Sequence, residues 1–416
     1  MGDLARSGGG GVRSARKILA LTTSRADWGH LSSPLRQLKK YTEIDLSLAV
    51  MGAHLSPEFG MTVGEIERDG FEVQHRIECL LSSDSDVGMA KTIGLAVLSL
   101  TEILSVERPD LMLLMADRYE MLAPASVALA LRIPVAHIEG GEVSEGAVDH
   151  AVRQALTSVA HVHLVPTITA KRRLLMAGEE PWRVHCVGAP SIDHLKNDDP
   201  PDSEEVRSTL GSIADQKPLV VVWHPVTLDA EVSIESDPFF DAIEQVEGPL
   251  VFCFPNSDAG SRTIRDRAQQ LCDRRSDSRI FVNLNHRIYW ALLARARAII
   301  GNSSSGIMEA PALQLPCLNV GRRQQGRERS RCIVDVPAHR GAIIEGIERV
   351  IDPAFRDSLA GMENPYGDGS AGKKIARILS KVELGPRLLE KRALPATAIP
   401  EPPVWPGQKQ TTTLSN

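Results

Sequence analysis

An α/β protein of two doubly wound, Rossmann-like domains facing one another across a cleft is what this 416-residue sequence predicts. Three observations carry the prediction. Short apolar runs alternate with amphipathic segments, as parallel strands covered by helices require: "KILALTT", "IDLSLAV", "LMLLM", "PVAHI" and "VHLV" come first. The rhythm then restarts after an Asp/Pro-rich stretch with "PLVVVW", "PLVFCF", "RIFV", "RAII" and "PCLNV". Unusual polar clusters follow several of these runs directly, at the strand edge where open α/β sheets bind ligands.

The boundaries follow from composition. A Gly-rich head, 1–15, and a polar, Pro-rich tail, 387–416, are expected to stay disordered. The first domain is set at 16–196, the linker at 197–202 and the second domain at 203–369. A helix within 370–385, "SAGKKIARILSKVE", stands where it could return across the domain boundary.

A net charge of −6 with acids and bases intermixed speaks against a general nucleic-acid or membrane surface. No continuous apolar run reaches the roughly 18–20 residues of a membrane span. The start lacks the apolar centre of a signal peptide, so a cytoplasmic protein is expected. Cys79, Cys186, Cys253, Cys272, Cys317 and Cys332 form no metal-type spacing and read as reduced thiols.

The polar clusters are specific. Arg25 and Asp27 follow the first run, His54 the second, and Asp117 with Arg118 follow "LMLLM". His224, Asn256 and "GNSSSGIMEAP" follow three runs of the second half. The segment "HIEGGEVSEGAVDHAVRQ" gathers Glu139, Glu142, Glu145 and Asp149 against one strong base, Arg153. Glu142 and Glu145 read as solvated loop acids. Asp149 and Arg153 are four apart, so they can pair on one helix face. Any one cluster could be a plain surface feature, whereas several on one rim point to a site.

Ser303, Ser304 and Ser305 can begin a helix whose free N–H groups suit an anion, although a serine run is also an ordinary cap. Five arginines, Arg322, Arg323, Arg327, Arg329 and Arg331, could clamp a diphosphate or be solvated. Glu309 is either a ribose acceptor or an exposed helix acid. Neither a GxxxxGK[ST] loop nor a well-placed GxGxxG is present, so an ATPase or nicotinamide enzyme is unsupported.

The ordered set "SRADWGHL", "MGAHL", "ADRYEMLAPASVALALRIPVAHIEGGEVSEGAVDHAVRQALT", "WHPVT", "FPNSDAGS", "GNSSSGIMEAP" and "GRRQQGRER" resembles the hydrolysing UDP-N-acetylglucosamine 2-epimerases over roughly 16–383. That resemblance implies a GT-B-like arrangement, with UDP on the second domain and sugar facing the first. Carried over by position, Arg25, His224, Ser303, Ser304 and Arg323 look like diphosphate contacts. Glu309 resembles the ribose ligand and Asn256 a further nucleotide contact. Asp27, His54, Asp117, Glu139, Asp149 and Arg153 look like the sugar side. The family often has paired acids where this chain has Asp149 followed by His150.

The implied reaction is anti elimination of UDP across sugar carbons C1 and C2, then hydration, giving N-acetylmannosamine from UDP-N-acetylglucosamine. Asp117 and Glu139 lead as proton carriers, with Asp27, Asp149, Arg153 and His224 in the catalytic set. No metal or redox cofactor is called for, and the expected partner is a UDP-sugar, in a homo-oligomer of two or four chains. Alternatives are a hydrolysing epimerase of a UDP-2,4-diacetamido-trideoxy sugar, a non-hydrolysing epimerase, and a sugar-nucleotide-binding regulator without activity.

Overall fold

The structure, a computed structural model, describes residues 15–81, 83, 85–145, 147–226, 233–254, 261–282, 284–393 and 395. The first seven strands are Arg16–Thr22 (β1), Ile44–Met51 (β2), His75–Ile77 (β3), Leu111–Met115 (β4), Val135–Ile138 (β5), Val162–Val165 (β6) and Val184–Cys186 (β7). They form one parallel sheet in the order β3-β2-β1-β4-β5-β6-β7. The other six are Leu219–Val222 (β8), Leu250–Phe254 (β9), Ser278–Val282 (β10), Ala298–Gly301 (β11), Cys317–Val320 (β12) and Ile333–Val336 (β13). Their order is β10-β9-β8-β11-β12-β13. Both sheets reverse direction of winding beside their first strand, between β1 and β4 and between β8 and β11. Crevices open at such points, beyond the carboxyl ends of the strands.

The central strands are continuous apolar runs because helices cover both of their faces. Ile18, Leu113, Leu219 and Ile300 are fully buried. The three strands not evident in the sequence, β3, β7 and β13, are short edge strands in which a buried run has no room to develop.

Helix Asp86–Glu107 holds no continuous apolar run as long as a membrane span, since Lys91 and Glu102 interrupt it. By length and composition it could cross a membrane, the one such helix among the described residues. Interspersed Gly, Ser and Thr break any continuous run without lowering its overall apolarity. Thr92, Ala96, Leu100 and Leu104, spaced four apart, are buried on the domain, while Leu98 is 68% exposed and Val106 83%.

The end of the chain returns to the first domain. Helix Ala371–Lys381 lies on helix Arg25–Leu38, and Ile375, Ala376 and Leu379 join the first domain's core. Asp193 receives the backbone N–H of Ala371 at 2.9 Å and of Gly372 at 2.6 Å, capping the returning helix. The tail expected to be disordered from 387 begins instead with an anchored segment. Leu388 is buried, and the buried Arg183 guanidinium donates to Leu388 O at 2.8 Å and Arg387 O at 3.1 Å. Lys391 adds a contact to Glu179 at 2.6 Å. A buried guanidinium must fill its five donors; the carbonyls of Leu388, Arg387, Glu390 and His161 take four and the Glu180 carboxylate the fifth. Residues 1–14 and 396–416 lie outside the described residues.

Leu379 is fully buried where the returning helix meets the first domain. Leu379→Ala is expected to lower the unfolding free energy by about 2–5 kcal/mol, read as a shifted urea midpoint with unchanged slope.

Candidate active site

The loop after β1 enters helix Arg25–Leu38 through Ser24, whose side chain caps Asp27 N. The first turns point Arg25, Ala26, Gly29 and His30 into a cavity of about 740 Å³, counting space open to solvent. The opposite wall is second-domain: His224 after β8, Tyr289 and Trp290, Ser303 to Ser305 after β11, and Glu309. This is where the two crevices meet.

Gly301 makes the serine turn possible. Its φ is +141°, and a Cβ there would stand 2.0 Å from Val222 O, so no other residue lets β11 turn so close to β8. Asn302 then clamps the neighbouring loop, accepting from His224 N at 2.8 Å and donating to His224 O at 2.8 Å. Ser303 caps a helix of five residues, Ser304–Met308, which passes through Glu309 into a 3-10 turn. Across the cavity Arg25 Nη1 is buried with no hydrogen-bond partner among the described residues. Burial lowers the Arg25 guanidinium to a pKa of about 10, partly offset by Glu65; it remains a cation at neutral pH.

Strain marks the first-domain rim. The residue directly after β4, Ala116, has φ +51° and the one directly after β5, Glu139, φ +65°, left-handed values that cost a non-glycine residue about 1–3 kcal/mol and cluster at functional sites. They turn Asp117 and Glu139 out of the sheet. Asp117 is held by Arg153. Glu139 lies 2.7 Å from His30 Nδ1. Burial by itself would raise the Glu139 carboxyl, but facing His30, with Arg327 and Arg153 beyond, holds it below the ordinary carboxylate range.

Several expected partners change. Asp149 meets Arg323 of the second domain at 3.2 Å, and Arg153 turns to Asp117 and to Ser144 Oγ at 3.3 Å. The helix faces the cleft, so contacts across it replace the local i,i+4 pair. Glu142, expected to be solvated, is buried: it accepts from Tyr366 Oη at 3.3 Å and from Thr167 Oγ1 at 3.3 Å. Glu145 is exposed as expected.

His54 is fully buried behind the strand ends, with Nε2 3.0 Å from Thr22 Oγ1 and Nδ1 2.7 Å from Thr62 Oγ1. Burial lowers it to a pKa of about 3, and the ring has no nitrogen left for a ligand. Asp27 is also buried, accepting from Thr23 Oγ1 at 2.5 Å and bracing the β1 turn without lining the cavity. Burial, moderated by Arg118, raises Asp27 to a pKa of about 6. Asn256 lies outside the described residues.

The five arginines disperse instead of forming a clamp. Arg323 reaches Asn302 O at 3.2 Å, while Arg327 spans the domains to Val143 O at 2.9 Å and Ser144 Oγ at 3.1 Å. Arg329 pairs with Asp335 at 2.9 Å, Arg322 lies 3.9 Å from Glu235, and Arg331 is exposed. Glu309 is buried and accepts from Ser191 Oγ at 2.5 Å, not the exposed acid that was its plain alternative. The sequence reading overlooked His30 and Tyr289. The i,i+1,i+4,i+5 pattern of Arg25, Ala26, Gly29 and His30 on one helix face was the available signal for the first.

The family model for UDP-N-acetylglucosamine 2-epimerase matches residues 36–380. A UDP-N,N'-diacetylbacillosamine 2-epimerase (hydrolyzing) of Legionella pneumophila is 36% identical over 90% of this chain and 98% of its own length. A GDP/UDP-N,N'-diacetylbacillosamine 2-epimerase (hydrolyzing) of Campylobacter jejuni is 34% identical over 77% of this chain and 84% of its own. Among solved structures, UDP-GlcNAc 2-epimerase of Neisseria meningitidis bound to UDP-GlcNAc superposes with a TM-score of 0.74 at 18% identity, covering 88% of this chain and 100% of that one; it speaks for the GT-B-like fold alone. On the family match and the identity along nearly the whole chain, this protein belongs to the family of hydrolysing UDP-sugar 2-epimerases.

Proposed function

We propose that this chain hydrolyses a UDP-2-acetamido sugar with inversion at C2, releasing UDP and the free 2-epimer. The observation that carries the reading is one cavity between the domains, with Arg25 and His30 on the first-domain wall, His224, Ser303 to Ser305 and Glu309 on the opposite one, and Glu139 2.7 Å behind His30.

The chemistry explains why acids and cations stand opposed. The C2 hydrogen has no neighbouring carbonyl, so a carboxylate alone is too weak a base to remove it. Breaking the C1–O bond first sends its electron pair to the diphosphate and builds positive charge at C1. Arg25, Arg323, His224 and the N–H groups at Ser303 to Ser305 stabilise the departing anion. The flanking carboxylates stabilise the cation, and one of them takes the C2 proton to complete the C1=C2 bond. A second, protonated carboxyl then delivers a proton to C2 on the opposite face while water adds its oxygen to C1 and gives up one proton, which restores that carboxyl. Asp117 and Glu139 are the two proton carriers in this scheme. Glu309 accepts from the ribose, and Asp149 with Arg323 holds sugar and nucleotide halves together.

For the sugar we favour a UDP-2,4-diacetamido-trideoxy hexose, because the two relatives at 36% and 34% identity carry that activity in their names. UDP-N-acetylglucosamine is the second reading, favoured by the description of the matching family model. NMR of products from the two substrates separates them: the preferred one should show the higher kcat/KM, and regeneration of a UDP-sugar epimer without free UDP would sink the hydrolytic reading.

UDP is expected to stabilise the protein with EDTA present, by about 2.7 kcal/mol at 100 times its Kd. Ser303→Asp should abolish most of that gain by placing a charge beside the phosphate. An unchanged melting temperature at saturating UDP counts against the anion site.

Glu139→Gln should keep UDP binding and lower turnover by about 10² or more. In heavy water the wild-type product should carry one deuterium at C2. Near-normal turnover in the folded variant removes Glu139 from the mechanism.

A further inference from the structure

His30 stands between two carboxylates contributed by opposite domains. Its Nδ1 lies 2.7 Å from Glu139 Oε1, and its Nε2 lies 3.7 Å from Glu309 Oε1. The side chains of Glu139 and Glu309 are 6% and 5% exposed, and that of His30 is 19% exposed. Two carboxylates brought this close with so little water repel one another unless a cation stands between them. A neutral imidazole can donate from one nitrogen only, so it would turn a lone pair toward one of the glutamates. The doubly protonated ring is the form that hydrogen-bonds Glu139 and turns a positive N–H edge toward Glu309, which it attracts through charge at 3.7 Å.

The charged groups around the ring agree. Asp27 contributes from its own helix, Glu139 from the loop after β5 and Glu309 from the second domain. Arg327 and Arg153 act on Glu139 from beyond, and Arg25 and His224 line the same cavity. Burial opposes a charge on His30, but Glu139 first, then Glu309 and Asp27, outweigh it and raise the ring to a pKa of about 9.

Building on the epimerase reading above, we propose that His30 is a positioning residue: an imidazolium bridging Glu139 and Glu309, which holds the proton-handling carboxylate of the first domain against the nucleotide edge of the second. The bridge is complete below the ordinary histidine range and is lost as pH rises through about 9. While it lasts it also keeps Glu139 ionised, because protonating that carboxyl would forfeit the ion pair. His30 thereby ties the protonation of Glu139 to the closeness of the two domains.

Two measurements on the full chain test this. In histidine-imidazole NMR without ligand, the resonance absent from His30→Gln should titrate near pH 9 in the wild type. Its midpoint should fall by at least about one unit in Glu139→Gln and by less in Glu309→Gln. A wild-type midpoint at or below about 6.5, the ordinary histidine value, overturns the proposal. This readout needs no turnover, so it decides the role of His30 even if no UDP-sugar proves to be a substrate.

The second measurement is the pH profile of kcat. His30→Gln should lower kcat about tenfold or more at neutral pH while UDP affinity stays within about threefold. Its acidic limb should move to higher pH, because Glu139 loses its cation, and its alkaline limb near pH 9 should disappear. His30→Lys should restore the acidic limb, since an ammonium stays charged to about pH 10.4. A His30→Gln profile superimposable on the wild type overturns the proposal. So does a loss of UDP affinity equal to the loss of turnover with both limbs unmoved, which is the mark of a plain nucleotide contact.

Discussion

A guanidinium sealed between two domains has to find acceptors on both, and Arg327 is where this chain meets that demand. Rooted in the second domain, it donates to Val143 O and Ser144 Oγ of the first and lies 4.0 Å from the buried Glu142. Removing either member of such a buried pair leaves an uncompensated charge, at a cost of about 3–5 kcal/mol. Tyr366 approaches the same Glu142 carboxylate and also donates to Glu328 O. The acid loop after β5 is therefore clamped from the second domain at Glu142, three residues beyond Glu139. Asp149–Arg323 joins the same two domains a short way along. These charge contacts set the cleft geometry together with a small apolar cluster that crosses the boundary, in which Ala189 and Ile192 of the first domain pack with Ile307, Met308 and Tyr366 of the second.

Buried polar contacts beside that cluster suit a site that must bring opposed charges together. Apolar surfaces would join the domains without regard to direction, whereas hydrogen-bonded arginines specify one apposition. The returning helix Ala371–Lys381 acts differently. Its apolar face buries Ile375 and Leu379 in the first domain and makes the end of the chain part of that core. Arg183 and Lys391 then secure the segment after it by filling donors with backbone carbonyls. Ala116 and Glu139, both in left-handed backbone, follow β4 and β5 directly where the chain leaves the sheet.

Much of the molecule is legible in the residue order. Among the described residues, alternating apolar runs located ten of thirteen strands; β3, β7 and β13 escaped because edge strands of three or four residues leave too short a pattern. The strand-end rule brought Arg25, Asp117, Glu139, His224, Ser303 and Glu309 to one region without any contact being known. It failed for His54, which follows β2 as a ligand residue would but fills a pocket between two threonines. Spacing cannot tell a side chain that leaves a strand end toward the cleft from one that folds back beneath it.

The sequence by itself determined the two wound sheets, the rim where the polar clusters gather, and the tight turn at Gly301, since each depends on local periodicity or on the φ of a few consecutive residues. Only the tertiary structure decided which charges meet. Asp149 is four residues from Arg153 yet pairs with Arg323, and Arg153 holds Asp117. Glu142 looked like a solvated acid and is sealed beneath Arg327 and Tyr366, while His30 gained its two glutamates from a strand end and from the other domain. Coulombic partnership depends on distance through space and on how much water is excluded, and both are settled only when the second domain closes on the first.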